Sequence, residues 1–185
     1  MRAHPAVKQC FSKIWDTDEL ITSFDCFIAW RQWWKANQFN EEWFPIGAVP
    51  LHTDQNPYFK KGKHCVQGMM PFYEVNKYVG GLEIVPDTSN DKHQEDMIAR
   101  YPRLAYSKHD FAPLNSKDPL QGKGQLVRAN PGDLILWDSR TIHGGVVGEG
   151  YGADQECPLG ESDLARLSFT ICMTPKAWAT QEVLQ

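Results

Sequence analysis

The pentapeptide Leu51-His52-Thr53-Asp54-Gln55 constrains this chain more than any other feature, provided it is taken with His143 far downstream. His52 and Asp54 flank a single residue, so on an extended strand both side chains leave the same face. An imidazole beside a carboxylate holds one edge of a metal ion, and His143, delivered from a later strand, supplies a third ligand. Two histidines and one carboxylate on one face of an octahedral metal form the facial triad of non-haem Fe(II) sites, with coordination positions left open. His-x-Asp alone is unspecific in a chain with six histidines. Its placement on an expected strand, with a third histidine behind a Pro-Gly-Asp turn and a buried strand, sharpens it.

The periodicity along the chain supports strands. Residues 5–15 carry Val7, Cys10, Phe11, Ile14 and Trp15 at helical spacing, with Pro5 suited to the N-terminus. Residues 20–30 read as one strand, with Phe24, Cys26 and Ile28 alternating against Ser23, Asp25 and Phe27 and apolar cover expected on both sides. Residues 31–45 read as an irregular loop that packs Trp33, Trp34 and Trp43 near a pocket. Further strands are expected at 48–55, 65–75, 80–86, 125–129 and 134–137, then one reaching His143. The last, at 166–173, puts Leu167, Phe169, Ile171 and Met173 on one face and Ser168, Thr170 and Cys172 on the other. Residues 87–124 form a long polar excursion with a short helical patch at 93–101. Residues 148–163 are rich in glycine and acid and lack apolar periodicity, as expected of a mobile lid. Eight short strands between Pro/Gly turns indicate a mainly β sandwich or jelly roll.

A length of 185 residues suits one domain, residues 1–185, with a proper core. A net charge of -4 argues against a nucleic-acid or anionic-membrane partner; the oligomeric state is not specified. The five cysteines, Cys10, Cys26, Cys65, Cys157 and Cys172, form no CxxC pair, so neither a disulfide framework nor a zinc knuckle is expected. With no apolar signal core and no run long enough to span a bilayer, the expected location is the cytoplasm.

A neutral-imidazole and carboxylate set suits Fe(II), and its open face lets a 2-oxo acid chelate. The distal carboxylate of such a cosubstrate needs a cation. Arg166, opening the last strand, offers a planar bidentate partner. Its bland reading is a pairing with Asp163 or Glu161. Arg140 competes, either facing the pocket or bracing Asp138 or Asp133. Gln67 and Thr170 are candidates for hydrogen bonds to the cosubstrate. His64, His93 and His109 are expected to be exposed. Lys60, Lys61 and Lys63 sit on a turn that is either a solvated hairpin or a phosphate-binding rim for an acyl-CoA.

Four blocks in order, His52-Thr53-Asp54-Gln55, Gly80-Gly81-Leu82-Glu83-Ile84-Val85-Pro86, Pro131-Gly132-Asp133-Leu134-Ile135-Leu136-Trp137-Asp138-Ser139-Arg140 with His143, and Arg166-Leu167-Ser168-Phe169, closely resemble the phytanoyl-CoA dioxygenase family. The resemblance implies a double-stranded β-helix (a cupin-like jelly roll) with a few flanking helices. It also implies Fe(II) on His52, Asp54 and His143, 2-oxoglutarate as cosubstrate with Arg166 on its far carboxylate, O2, and hydroxylation of a C–H bond in a small-molecule or acyl substrate. The chain begins close to the first core strand, where family members usually carry further elements, so a trimmed or minimal form is expected. Two other classes are kept beside this one: a cupin-like metal enzyme without 2-oxoglutarate, and a non-catalytic ligand-binding relative.

Overall fold

The longest strand sets the frame. Leu164–Pro175, β10, runs for 12 residues and pairs antiparallel with three others. These are β1 (Leu20–Thr22), β2 (Phe27–Arg31) and β4 (Val66–Pro71), and β4 in turn pairs with β8 (Ile135–Asp138). A second sheet runs in the order β6 (Ala112–Pro113), β3 (His52–Thr53), β9 (His143–Val147), β5 (Gly80–Ile84) and β7 (Gln125–Leu126). The computed structural model describes residues 2–35, 48–152, 155–159 and 164–180. Two antiparallel sheets with a cavity between them make this a mainly β, cupin-like jelly roll, as expected, with ten strands among the described residues instead of eight.

Side-chain alternation along β10 explains where the cores lie. Ile171 and Met173 point outward and pack with Val66 against Val7 and Phe11 of α1 (Pro5–Trp15). The His4 ring accepts a hydrogen bond from the Ala6 amide at the start of α1, Pro5 occupies the first turn, and Asp16 ends the helix in the left-handed conformation. Cys10, expected on the apolar face, is exposed. The second sheet is backed by Leu51, Val85, Leu114 and Ile142, which pack with Met97 of α2 (Asp91–Arg100). With both sheets covered from outside, the inward faces are free to carry polar residues. No helix among the described residues is long and apolar enough to cross a membrane.

Three expectations need correction. Residues 20–30 are two strands, because the Ser23 hydroxyl bonds the Asp25 carboxylate at 2.7 Å and offers the backbone a local alternative to the ladder. The apolar cover on both sides is missing too: Phe24 is fully exposed and Phe27 is 63% exposed. The strand expected at 48–55 shrinks to two paired residues.

The expected lid is anchored at its start. The amides of Gly148, Glu149 and Gly150 donate to the carbonyls of Val79, Lys77 and Tyr78. Gly80 (φ +78°) permits this approach, since a Cβ there would run into the Val146 carbonyl. Tyr151 is buried, with Tyr78 and Trp34 rings at 4.6 and 5.3 Å, and its hydroxyl accepts from Asn76 at 3.1 Å. Trp33 and Trp34 therefore pin this segment and do not line the pocket; Trp43, with residues 153–154 and 160–163 of the expected lid, lies outside the described residues. Limited proteolysis of the native protein is expected to spare residues 148–152, and Tyr151→Ala to open them to cleavage.

Candidate active site

The register of β3 against β9 builds the site. His52 and His143 are direct Cα partners on neighbouring antiparallel strands, with ring centroids 4.3 Å apart. Asp54 follows two residues after His52 on the same side, and its amide donates to the Ser139 carbonyl at 3.1 Å. The carboxylate lies 3.6 Å from His52 Nε2 and 3.4 Å from His143 Nε2. One ligand atom from each of the three lies within 4.8 Å of the others.

The alternate residues hold this arrangement from behind. The Thr53 hydroxyl donates to the Ser139 carbonyl at 2.9 Å, and the Ser139 hydroxyl donates to Gln55 Oε1 at 2.8 Å. Gln55 Nε2 donates to the carbonyls of Lys60 and Gly62, and its Oε1 also accepts from the His64 amide. Thus the segment carrying His52 and Asp54 is tied to the turn before His143 by a buried polar network. The sequence reading missed Thr53, Gln55 and Ser139. Strand alternation was the available signal, since a ligand face at 52 and 54 leaves 53 and 55 facing inward on the other side. Gln55→Leu strands several buried partners at once, and each costs about 1–3 kcal/mol. A marked fall in melting temperature, measured on metal-free protein, is the expected result.

The donor set fits a cation. Both Nδ1 atoms are engaged by backbone carbonyls, His52 with Pro50 at 2.7 Å and His143 with Thr141 at 2.9 Å. With Nδ1 donating, each Nε2 presents a lone pair toward the Asp54 carboxylate. Three acceptors then converge on one point, which a metal ion satisfies; ligand atoms at about 2.1 Å from such an ion sit about 3 Å apart. Burial alone would raise the Asp54 carboxyl, but hydrogen bonds from His143, His52 and Gln67 hold it well below the usual carboxylate range.

The triad opens into a cavity of about 460 Å³, lined also by Trp30, Gln67, Met69, Leu82, Trp137, Arg166 and Thr170. Arg166 is 3% exposed and has no acidic partner among the described residues. Its guanidinium touches Met69 Sδ at 3.3 Å and lies 4.5 Å from the centroid of the Trp30 ring, while Nε has no partner. Burial pushes its pKa down to about 10. Asp163 and Glu161, the partners of its bland reading, lie outside the described residues.

Arg140 is committed elsewhere. It forms a two-pronged pair with the Asp138 carboxylate, Nε at 3.0 Å and NH2 at 2.9 Å, and reaches Asp91 at 3.0 Å. It braces the turn before His143, one of its two expected roles, and does not line the cavity, so the expectation that it holds the cosubstrate is corrected. Gln67 Nε2 donates to Asp54 Oδ2 at 2.6 Å, leaving Oε1 free in the cavity wall, and the Thr170 hydroxyl donates to the Cys26 carbonyl at 2.8 Å. Gln67→Leu removes a partner of a metal-ligand carboxylate, and iron affinity, measured by anaerobic titration, is expected to fall about 10–100-fold.

Two further polar groups went unforeseen. The Trp137 indole N–H and the Ser168 hydroxyl are buried without partners. Trp137 lines the cavity, with its ring 5.4 Å from His143, and Ser168 is two residues along the inward face from Arg166. The polar handle of a tryptophan in an apolar run, and a two-residue step from Arg166, were the legible signals. Among the other histidines, His64 and His109 are exposed as expected, but His93 is half-buried on α2, with Nε2 unpartnered. The three lysines are engaged or apart: Lys60 pairs with Asp110, Lys63 lies over the Trp15 ring, and Lys61 is exposed.

Comparison with known proteins gives the chain its family. The phytanoyl-CoA dioxygenase (PhyH) family matches residues 1–146, which include His52, Asp54 and His143 but stop short of Arg166. The "Ava biosynthesis cluster protein O" of Aspergillus versicolor is 27% identical over 207 residues; the match takes in 100% of this chain, which spans only 56% of that relative's length. AviO1 from Streptomyces viridochromogenes is a solved structure 12% identical, with 96% of this chain matched to 60% of it at a TM-score of 0.54. The epimerase SnoN, solved in complex with Fe3+, alpha ketoglutarate and nogalamycin RO, is also 12% identical, with coverages of 92% and 56% and a TM-score of 0.54. EvdO2 from Micromonospora carbonacea, complexed with 2-oxoglutarate, is 14% identical, with 92% of this chain and 60% of that one matched at a TM-score of 0.51. At such identities the likeness to the solved structures is one of fold. Fe(II), 2-oxoglutarate and O2 are the cofactor set of the matched family. With the family match running over most of its length, the chain belongs to the phytanoyl-CoA dioxygenase family.

Proposed function

We propose that the protein is an Fe(II)- and 2-oxoglutarate-dependent dioxygenase that hydroxylates a C–H bond of a small molecule. His52, Asp54 and His143 hold the metal, and Arg166 takes the distal carboxylate of 2-oxoglutarate. The observation that carries this reading is a buried guanidinium without an acidic partner among the described residues, lining the same cavity as three converging metal ligands. Bound there, Fe(II) supplies O2 activation coupled to decarboxylation of 2-oxoglutarate to succinate.

The chain's own residues do the positioning. Gln67 orients Asp54, the two backbone carbonyls fix the imidazole tautomers, and Trp30, Met69 and Leu82 keep water from the guanidinium. The unpartnered Gln67 Oε1 and Trp137 N–H are available to bound cosubstrate or substrate. The curated relative is named for a biosynthesis cluster, and the lysines are engaged or dispersed; both favour a small metabolite over an acyl-CoA.

Purified protein with Fe(II) is expected to convert 2-oxoglutarate to succinate and to add one oxygen atom to its substrate. Succinate absent under all metal loadings would leave the cupin-like or non-catalytic classes. Because Asp54 supplies a carboxylate ligand, no position is vacated for halide. Chloride in the assay is expected to give no chlorinated product, and Asp54→Gly to abolish oxygenation.

A further inference from the structure

Cys65 and Cys172 lie 107 residues apart in sequence, yet their sulfurs touch, Sγ to Sγ 2.7 Å. Cys65 immediately precedes β4, and Cys172 lies on β10. In the ladder between these strands Cys172 is opposite Gln67, so the two cysteines are diagonal cross-strand neighbours on the inward face. Neither is in a disulfide in this structure. Both are half-buried, and Cys65 lines a second cavity of about 430 Å³ bordered by Asp54, His64 and Trp178, which opens a route to the touching sulfurs.

We propose that Cys65 and Cys172 are a reversible redox site, closing into a disulfide across β4 and β10 when the protein meets hydrogen peroxide. A disulfide needs sulfurs about 2.05 Å apart on Cβ atoms about 3.8 Å apart, and diagonal strand neighbours already in sulfur contact reach this with a small shift. Cys172 is assigned as the attacking thiol and Cys65 as the resolving one, in keeping with the hydrogen bond between them, which pushes Cys172 down and Cys65 up. The Cys172 sulfur attacks one peroxide oxygen, breaking the O–O bond; this gives a sulfenic acid and hydroxide. The Cys65 sulfur then displaces hydroxide from that sulfenic acid, forming the S–S bond. The hydroxides leave as two waters with the two thiol protons, so two thiols are oxidised by two electrons and one peroxide is reduced.

The pair stands apart from the proposed oxygenase activity, so its test uses metal-free chain. Brief peroxide treatment is expected to remove two of the five thiols before Cys10 or Cys26 reacts. Peptide mapping should link Cys65 to Cys172, and dithiothreitol should restore both. In Cys65→Ser the Cys172 sulfenic acid is expected to persist and be trapped by dimedone. Loss of Cys10 or Cys26 with Cys65 and Cys172 still reduced overturns the proposal. So does a Cys26–Cys172 cross-link, or Cys172 carried to sulfinic acid in the native chain with Cys65 untouched.

Discussion

Arg166→Met is expected to weaken 2-oxoglutarate binding at least a hundredfold while leaving the ligand-free protein as stable as before, or more so. The guanidinium is 3% exposed, has no acidic partner among the described residues, and has its pKa lowered to about 10 by burial alone. A cation whose folded pKa lies below its unfolded value binds its proton less tightly when folded. The penalty is therefore constant at neutral pH and fades only as pH rises above about 10. Methionine removes that penalty and keeps most of the volume beside Trp30 and Met69. Among the described residues lining the cavity, the substitution removes the one buried arginine that a cosubstrate carboxylate could meet. Leaving its carboxylate buried and unpaired costs about 3–5 kcal/mol. At about 1.4 kcal/mol per tenfold, that is a hundredfold or more. Anaerobic titration of 2-oxoglutarate into Fe(II)-loaded protein, with thermal melts of the ligand-free chain, reads both effects. Arg140→Ala is the control, expected to keep 2-oxoglutarate affinity and to loosen residues 138–143, where its pairs to Asp138 and Asp91 are lost. If Arg140→Ala loses the cosubstrate and Arg166→Met does not, the assignment is reversed.

The second large effect is at the metal. His143→Ala removes one of three converging ligands and leaves Asp54 and His52 to hold the ion. Loss of an outer-shell partner alone costs about 10–100-fold in affinity, so loss of a ligand should exceed that range. The fold should survive, because the His143 side chain lines an existing cavity and β9 keeps its ladder with β5. Metal analysis after anaerobic loading and desalting gives the answer, with circular dichroism as the check on folding. Iron retained at the level of the unaltered protein would sink the triad.

Much of the architecture was legible from strand periodicity. The face assignment along residues 166–173 matches the structure, and so does the helix at Pro5–Trp15. Errors arose where a local polar contact outbid the pattern, as Ser23 and Asp25 do in splitting residues 20–30. They also arose where a lone aromatic carried an anchor. Residues 148–152 have no apolar period, yet one buried tyrosine and three backbone hydrogen bonds hold them.

Spacing alone determined that His52 and Asp54 share a face, since a strand returns every second side chain to the same side. That argument is local and says nothing about what lies opposite. The pairing of His52 with His143 is a matter of register between strands distant in the chain, set by long-range ladder bonds and by the Thr53–Ser139–Gln55 network. What separates the two arginines is likewise tertiary. Both sit in plausible motifs, but Asp138 and Asp91 neutralise Arg140, while the inward face of β10 carries Arg166 into an apolar wall beside Trp30. The contact between Cys65 and Cys172 belongs to the same class. Scattered cysteines with no short spacing carry no pairing signal, and only the diagonal of an antiparallel ladder brings these two sulfurs together.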